Sequence, residues 1–529
     1  MTDPFYAAVD LGATSGRVLV GRLDRDRFIL DEVARFPTPC IEVDGHLHWD
    51  ADTLRASVVS GIRCAANAVR LNGVGVDTWG VDYARLDSNG TLLEPPFAYR
   101  DTRTHGVPEA FFSAFPAAKL YAHAGLQTLE FNTVFQLVSS SQDPLWASTD
   151  ELLFLPDLFT WWLSGAQVAE LTIASTSGLL DVTARKWSPV ILGHVRSRYG
   201  LDLDKILAPI VEPGTRVGTL PPAIAPGEVP VIAVGSHDTA SAVASIPAQR
   251  TDFAYISSGT WSLVGLELDR PILTEESRLT GFTNELGIDA TVRYLRNVMG
   301  LWVLSESIRH WNCVGPPADS PIAAADISPI AAADIVGDAG PDPCAINPAP
   351  YQHVSVDLPT LLDAAGRLPA LRTVVDMEDP RLIPPGDMPS RLARMARETG
   401  QPIPRDPAEF TRCILDSLAL DYRRVIRQAC RLANRDVQVV HIVGGGCRNQ
   451  LLNQLTAEAT GLPVIAGPVE GAALGNLLVQ ARTMGSLTGD LTDLRRVSRA
   501  SCALETYSPG ILALTQSDWD AAEKRAFSF

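Results

Sequence analysis

Phe5-Tyr6-Ala7-Ala8-Val9-Asp10-Leu11-Gly12-Ala13-Thr14-Ser15-Gly16-Arg17-Val18-Leu19-Val20-Gly21 decides the fold class. An apolar run ends in an acid, a short Gly/Ser turn follows, and a second apolar run leads away. Two β-rich runs about such a turn predict a hairpin, not the strand–loop–helix of a dinucleotide-binding unit. Ala254-Tyr255-Ile256-Ser257-Ser258-Gly259-Thr260, continuing into Trp261-Ser262-Leu263-Val264-Gly265, repeats the arrangement far downstream. Val74–Asp77, Pro230–Gly235 and Val439–Val443 read as buried strands, and the last runs into Gly444-Gly445-Gly446. Leu451, Leu452, Leu455 and Ala459 recur at helical spacing, and Glu470–Asn476 opens a helix of small residues. Strands alternating with helices predict an α/β protein.

The 529 residues are enough for roughly two to four domains. At 46% hydrophobic and 20% charged, the composition excludes a largely disordered chain. A net charge of −17, with no dense Lys/Arg run, argues against nucleic-acid or anionic-membrane partners but not against a small anion held by backbone amides. The start Met1–Phe5 has no basic or apolar leader region, no stretch approaches the ~18 apolar residues of a membrane span, and the eight scattered cysteines include no C-x-x-C pair. These features predict a cytoplasmic protein with reduced thiols. A near-verbatim octapeptide repeat, Pro321–Ser328 and Pro329–Val336, predicts a flexible surface insertion over about 312–351, to which no chemistry is assigned.

Several nucleotide-binding schemes are excluded. The only lysines are Lys119, Lys186, Lys205 and Lys524, none beside a glycine loop, so no Walker-type lysine exists. What remains is a lysine-free way to hold a triphosphate. The backbone amides of the 10–17 turn can cradle phosphate oxygens, Thr14 and Ser15 add hydroxyls, and Asp10 can hold Mg²⁺ through water. An ordinary hairpin turn is the alternative reading. Ser257–Thr260 offers a second such turn, and Gly444–Gly446 leaves bare backbone for a base or ribose.

Gly235-Ser236-His237-Asp238-Thr239-Ala240-Ser241 follows a strand and precedes a helix. Asp238 there can accept a substrate hydroxyl proton, the helix dipole keeping it ionised; a plain N-cap is the alternative. In Asp77-Thr78-Trp79-Gly80-Val81-Asp82-Tyr83, the aromatic faces of Trp79 and Tyr83, the Asp82 carboxylate and the bare Gly80 backbone suit a sugar, or else an acidic turn packed by aromatics.

These motifs, together with Ser236–Val243, Ser257–Ser262 and Gly444–Cys447, resemble those of the FGGY carbohydrate kinases, in order along nearly the whole chain. Asn297–Trp302, Asp379-Pro380-Arg381 and Ile465–Glu470 narrow the resemblance to members acting on L-rhamnulose. The resemblance implies two actin-like (ribonuclease H-like) domains flanking a catalytic cleft, at 1–246 (sugar side, first phosphate loop) and 247–515 (nucleotide side). It implies ATP and Mg²⁺ as cofactors and transfer of the γ-phosphoryl group to the 1-hydroxyl of the ketose. Asp238 matches the family's proton acceptor and also touches sugar. Ala13, Thr14, Ser15, Gly16 and Arg17 match the ATP loop, Thr260 a phosphate contact and Gly445 an adenosine contact; Gly80, His237, Thr239 and Asn297 match sugar contacts. Ser305 stands where a longer polar nucleotide contact is common, and Thr283-Asn284-Glu285-Leu286-Gly287 departs from the usual N-E-G-G. The rival readings are a kinase for another ketose, such as fuculose or xylulose, and a non-catalytic actin-like switch that binds ATP or sugar. The resemblance is silent on oligomeric state.

Overall fold

The computed structural model describes residues 3–314 and 356–527. The octapeptide repeat lies outside the described residues. Strands β1 (Phe5–Leu11), β2 (Ser15–Asp24) and β3 (Arg27–Pro37) form an antiparallel meander, with the predicted hairpin at its head. Helix α1 (Ala51–Ala68) then carries the chain to β4 (Leu71–Thr78), which lies parallel to β1 and sets Asp77 beside Asp10. The Asp50 side chain accepts from the Thr53 amide to start α1, and Leu54, Val58, Ile62 and Ala65 at helical spacing bury its inner face. Strands β5 (Thr215–Thr219) and β6 (Pro230–Ala233) complete a sheet of order β5-β6-β4-β1-β2-β3. Tyr6 to Leu11 are buried on both faces, so the central strand reads as a continuous apolar run without alternation. Strand β6 ends at Ala233, two residues short of its predicted end, and the chain reaches α2 (Asp238–Ala244) through an extended link.

The second sheet repeats the plan. Strands β7 (Phe253–Ser258), β8 (Trp261–Leu268), β9 (Thr283–Leu286) and β10 (Val292–Met299) are successively antiparallel in the order β7-β8-β10-β9. Helices α3 (Trp302–Val314) and α4 (Pro407–Ala433) follow; α3 takes in the first three residues of the predicted 312–351 insertion. Strand β11 (Val439–Val443) lies parallel to β7, and β12 (Val464–Ala466), reached through α5 (Gln450–Thr460), lies parallel to β11. With β13 (Glu505–Tyr507) the sheet order is β9-β10-β8-β7-β11-β12-β13. Each sheet thus combines a set of antiparallel strands begun by a hairpin with parallel strands reached through helices, the actin-like frame.

Helix α6 (Gly471–Thr483) leaves the second sheet and packs on the first. Its Leu474, Leu477 and Leu478 are buried with Tyr6, Ala8, Leu19 and Ile232, each leucine contributing roughly 1.5–3 kcal/mol. Helices α6 and α2 cross at Gly475, where a Cβ would lie 1.8 Å from the Ser241 carbonyl oxygen, so only glycine permits the approach. Beneath the crossing, Asn476 Nδ2 donates to Asp77 Oδ2 at 2.6 Å and Gln480 Nε2 to the Ala7 carbonyl at 2.9 Å. Helix α7 (Leu491–Ser501) follows, and its Ser501 hydroxyl accepts from the Phe28 amide at 2.7 Å.

Candidate active site

The two sheets face each other across a cleft of about 320 Å³. Both predicted turns open into it. At the head of β1–β2, the Gly12 amide donates to the Ser15 carbonyl at 3.1 Å, and Thr38 of the adjoining segment ties the turn from behind, donating through Oγ1 to the Gly12 carbonyl at 2.8 Å. Gly12, Ala13, Thr14 and Arg17 line the cleft. Ser15 and Gly16 are not among the lining residues; a Cβ on Gly16 would sit 2.4 Å from Phe36 and 2.7 Å from Leu11, so this glycine faces the hairpin's packed side. At the head of β7–β8, Gly259 donates to the Trp261 carbonyl at 2.9 Å. The Gly259 and Thr260 carbonyls accept from the Leu301 and Trp302 amides at 3.1 and 3.2 Å, which ties this turn to the start of α3. Ser257, Ser258 and Thr260 line the cleft.

Gly444 has φ +87°, a conformation that favours glycine, and a Cβ on Gly446 would fall 2.0 Å from Ser258 Oγ. Gly445 between them has nothing within 4 Å of a Cβ, so its backbone lies bare toward the cleft. The triple glycine therefore serves two ends: two residues let the loop close on the second hairpin and one leaves space.

Asp238 is the first residue of α2 and is 30% exposed through the cleft. The link before it is fixed by buried groups. The Ser236 amide donates to Glu170 Oε2 at 3.1 Å, the His237 amide to Thr172 Oγ1 at 3.2 Å, and the Ser236 carbonyl accepts from the Thr78 amide at 2.9 Å. Burial pushes the Glu170 carboxyl up to about 7 against the hydrogen bonds it accepts. Thr239 Oγ1 donates to Asp238 Oδ1 at 3.0 Å. Burial, aided by the nearby Asp10 charge, raises the Asp238 pKa, while His237 and the Thr239 hydrogen bonds oppose the shift. A helix of seven residues offers a small dipole against that desolvation. A raised pKa makes the ionised carboxylate a stronger proton acceptor.

Asp10 and Asp77 lie side by side on β1 and β4. Burial and the Asp10 charge push Asp77 well above the usual range. Asp10 lines the cleft, and its Oδ2 accepts from Arg17 Nε and Nη2 at 3.1 and 2.9 Å. Arg17 also pairs with Glu470, just before α6, and so joins the first turn to the second half of the chain. No group of three or more His, Cys, Asp or Glu able to hold a metal occurs among the described residues. This donor set fits a hard ion that takes one carboxylate and completes its shell with water and phosphate oxygens, as Mg²⁺ does.

Gly80, His237, Thr239 and Asn297, the residues expected to contact sugar, all line the cleft. Trp79 does too, whereas Asp82 and Tyr83 follow the alternative reading, an acidic turn packed by aromatics. Tyr83 is buried in a short strand pairing with residues 151–154. Asp82 is buried and accepts from the indole nitrogens of Trp49 and Trp79 at 2.7 and 2.8 Å, from Gln136 at 3.0 Å and from the Tyr99 amide at 3.3 Å. It scaffolds the aromatic wall, and burial lifts it to about 6. Ser305 is exposed on α3, away from the lining.

Sequence reasoning missed four groups. Gln127 Oε1 accepts from both the amide and the side chain of Asn297 at 3.1 Å, and Phe131 packs edge-on to Trp261 at 6.4 Å. Both belong to an irregular segment without periodicity. Glu285 and the fully buried Arg293 form an ion pair at 3.0 Å beside His237. The Glu285 segment stood out in the sequence; Arg293, in a strand that also carries Arg296, had no signal beyond its charge. Burial raises the Glu285 carboxyl, but Arg293 and His237 outweigh it and hold the pKa below the usual range.

Two lysine-free turns and a helix-start aspartate thus open onto one cleft between two sheets of the actin-like plan. The family models for the FGGY carbohydrate kinases match residues 5–244 (N-terminal domain) and 254–484 (C-terminal domain). The chain belongs to the FGGY family of carbohydrate kinases and is a sugar phosphotransferase. It is 38% identical over 524 residues to a protein named rhamnulokinase from Bacteroides thetaiotaomicron, covering 98% of this chain and 97% of that one. A second rhamnulokinase, from Enterococcus faecalis, is 36% identical over 511 residues, covering 95% and 94%. Among solved structures, a Brucella ovis xyloylose kinase superposes with a TM-score of 0.73 at 17% identity (98% of this chain, 97% of that chain), and a Lactobacillus acidophilus gluconate kinase with 0.71 at 13% (99% and 96%). Among the described residues, no helix is long and apolar enough to cross a membrane.

Proposed function

We propose that the protein transfers the γ-phosphoryl group of ATP to the 1-hydroxyl of L-rhamnulose, giving L-rhamnulose 1-phosphate and ADP, in the cytoplasm. The observation that carries this reading is the position of Asp238, whose open edge faces the same cleft as both turns and the sugar-side residues. The names of the two relatives supply the sugar.

In this reading the ketose lies against Trp79, the Gly80 backbone, His237 and Asn297, with its 1-hydroxyl at Asp238. An Asp238 oxygen takes the hydroxyl proton as the sugar oxygen forms its bond to the γ-phosphorus. The bond from that phosphorus to the β,γ-bridging oxygen breaks, and ADP leaves with the electron pair. Amides and hydroxyls of residues 13–17, with Thr260 from the opposite hairpin, hold the phosphates, and Gly445 gives the adenosine a bare surface. Asp10, which lines the cleft, would hold Mg²⁺, and that ion would supply positive charge at the phosphate oxygens. Such transfer has a loose transition state, so alignment and charge stabilisation supply most of the catalysis. The chain divides at about residue 246 into the two halves, with α6 bridging them, and their approach excludes the water that competes as acceptor.

A coupled ADP-release assay with Mg-ATP and a panel of L-rhamnulose, fuculose and xylulose tests the proposal. L-Rhamnulose should give the highest kcat/KM. A clear preference for xylulose overturns the assignment of the sugar, and nucleotide binding without turnover on any ketose overturns the catalytic reading.

A further inference from the structure

Arg293 extends from β10 in the second half of the chain to His237, the residue before Asp238 in the first half. It is fully buried. Its Nε and Nη2 donate to the Leu286 carbonyl at 3.2 Å, Nη1 pairs with Glu285 Oε2 at 3.0 Å, and Nη2 hydrogen-bonds His237 Nδ1 at 3.1 Å. Glu285 Oε2 lies 3.2 Å from the same ring nitrogen but has no hydrogen-bond partner among the described residues.

A guanidinium only donates and stays charged in proteins. A ring nitrogen that receives its hydrogen bond must therefore present a lone pair, which places the proton of the neutral imidazole on Nε2. Nε2 lies 3.4 Å from Asp238 Oδ1, within reach of the carboxylate and of a sugar oxygen beside it. The opposite tautomer would set a lone pair against the carboxylate and leave an Arg293 N–H facing a ring N–H.

We propose that Arg293 is a positioning residue that locks His237 in the Nε2–H tautomer, so that the ring donates toward Asp238 and the bound sugar, while Glu285 serves by neutralising Arg293. The proposal rests on Asp238 being the proton acceptor. Because Arg293 and Glu285 come from the second sheet, the tautomer is set only when the two halves sit together as they do here.

Nitrogen-15 histidine labelling of the full-length, ligand-free protein reads the tautomer directly, with His237→Asn identifying the signals. The expected result is a protonated Nε2 and a bare Nδ1 in the wild-type protein, retained in Glu285→Gln. In Arg293→Met the ring should populate the other tautomer, with kcat reduced roughly 10–100-fold, as for other residues that orient a site ligand, and the KM for ATP unchanged. A proton on Nδ1 in the wild-type protein, a switch of tautomer in Glu285→Gln, or an unchanged ring in Arg293→Met overturns the proposal. If Arg293→Met does not fold, the wild-type and Glu285→Gln spectra decide alone. The ring signals need neither sugar nor nucleotide, so this outcome is distinct from a failure of Asp238→Asn to suppress turnover, which would remove the base itself.

Discussion

The two hairpins share a backbone plan but not a chemistry. The first turn is flanked by Asp10 and Arg17, with Asp77 alongside and Glu470 reaching across, whereas the second presents Ser257, Ser258 and Thr260 with no charge. Asp238 also belongs to the first half. The same frame used twice thus separates charge from neutral hydrogen bonding. An anionic triphosphate can be held from one side by amides and hydroxyls alone, but it can approach the carboxylate side only with cations between, from Arg17 and a metal ion. Substitutions that move charge should therefore cost more than those that remove a hydroxyl.

The largest effect should come from the charged half. Asp238→Asn should lower kcat by roughly the 10²–10⁴ of a lost general base while leaving sugar and nucleotide binding nearly intact, measured by steady-state kinetics and calorimetry. Equal turnover by mutant and wild type would break the comparison at its centre. The pH profile carries the same claim with a sign. Because burial and Asp10 raise the Asp238 pKa, and only the ionised carboxylate accepts a proton, kcat/KM should fall as pH drops through a value above the ordinary carboxylate range. An acid limb at or below that ordinary range would contradict it.

A smaller effect separates the two turns mechanically. Gly446→Ala drives a methyl group within 2.0 Å of Ser258 Oγ and 2.6 Å of its Cβ, whereas Gly16→Ala meets the side chains of Phe36 and Leu11. The first must shift strand β7 close to its backbone and should cost about 1–3 kcal/mol, read as a lower thermal midpoint. Gly16→Ala should cost less, because side-chain tips can move aside. Gly445→Ala, with open space around its Cβ, should leave the midpoint unchanged and raise only the KM for ATP.

The frame was legible because its signals are local. The apolar run of β1, the short turn, the recurrence near residue 254 and the strand into three glycines each follow from neighbouring residues. The placement of Asp238 was legible for the same reason. What the sequence did not yield depends on residues far apart in the chain. Asp82 looks free for sugar hydroxyls until Trp49, Trp79, Gln136 and the Tyr99 amide are folded around it, and no local pattern announces four donors converging on one carboxylate. The upward shift of the Asp238 pKa is hidden likewise, since burial, its largest cause, is set by the fold and not by neighbouring residues. Gln127 and Arg293 were missed because one sits in an aperiodic segment and the other is one of two arginines in a strand, with nothing local to set it apart from Arg296.

A single hydroxyl tests the neutral turn. Thr260→Val keeps the branched shape and removes one hydroxyl, while the turn's backbone amides stay in place. A hydrogen bond to a charged group contributes about 1.5–3 kcal/mol, so kcat/KM for ATP should fall by roughly 10–100-fold at most. Asp10→Asn, on the other turn, removes the charge that pairs with Arg17 and that the proposed Mg²⁺ would use. It should raise the Mg²⁺ concentration needed for half-maximal rate, which Thr260→Val should leave alone. If Thr260→Val shifts the Mg²⁺ requirement as much as Asp10→Asn does, the division of labour between the hairpins fails, because the supposedly neutral turn would then be holding the metal as well.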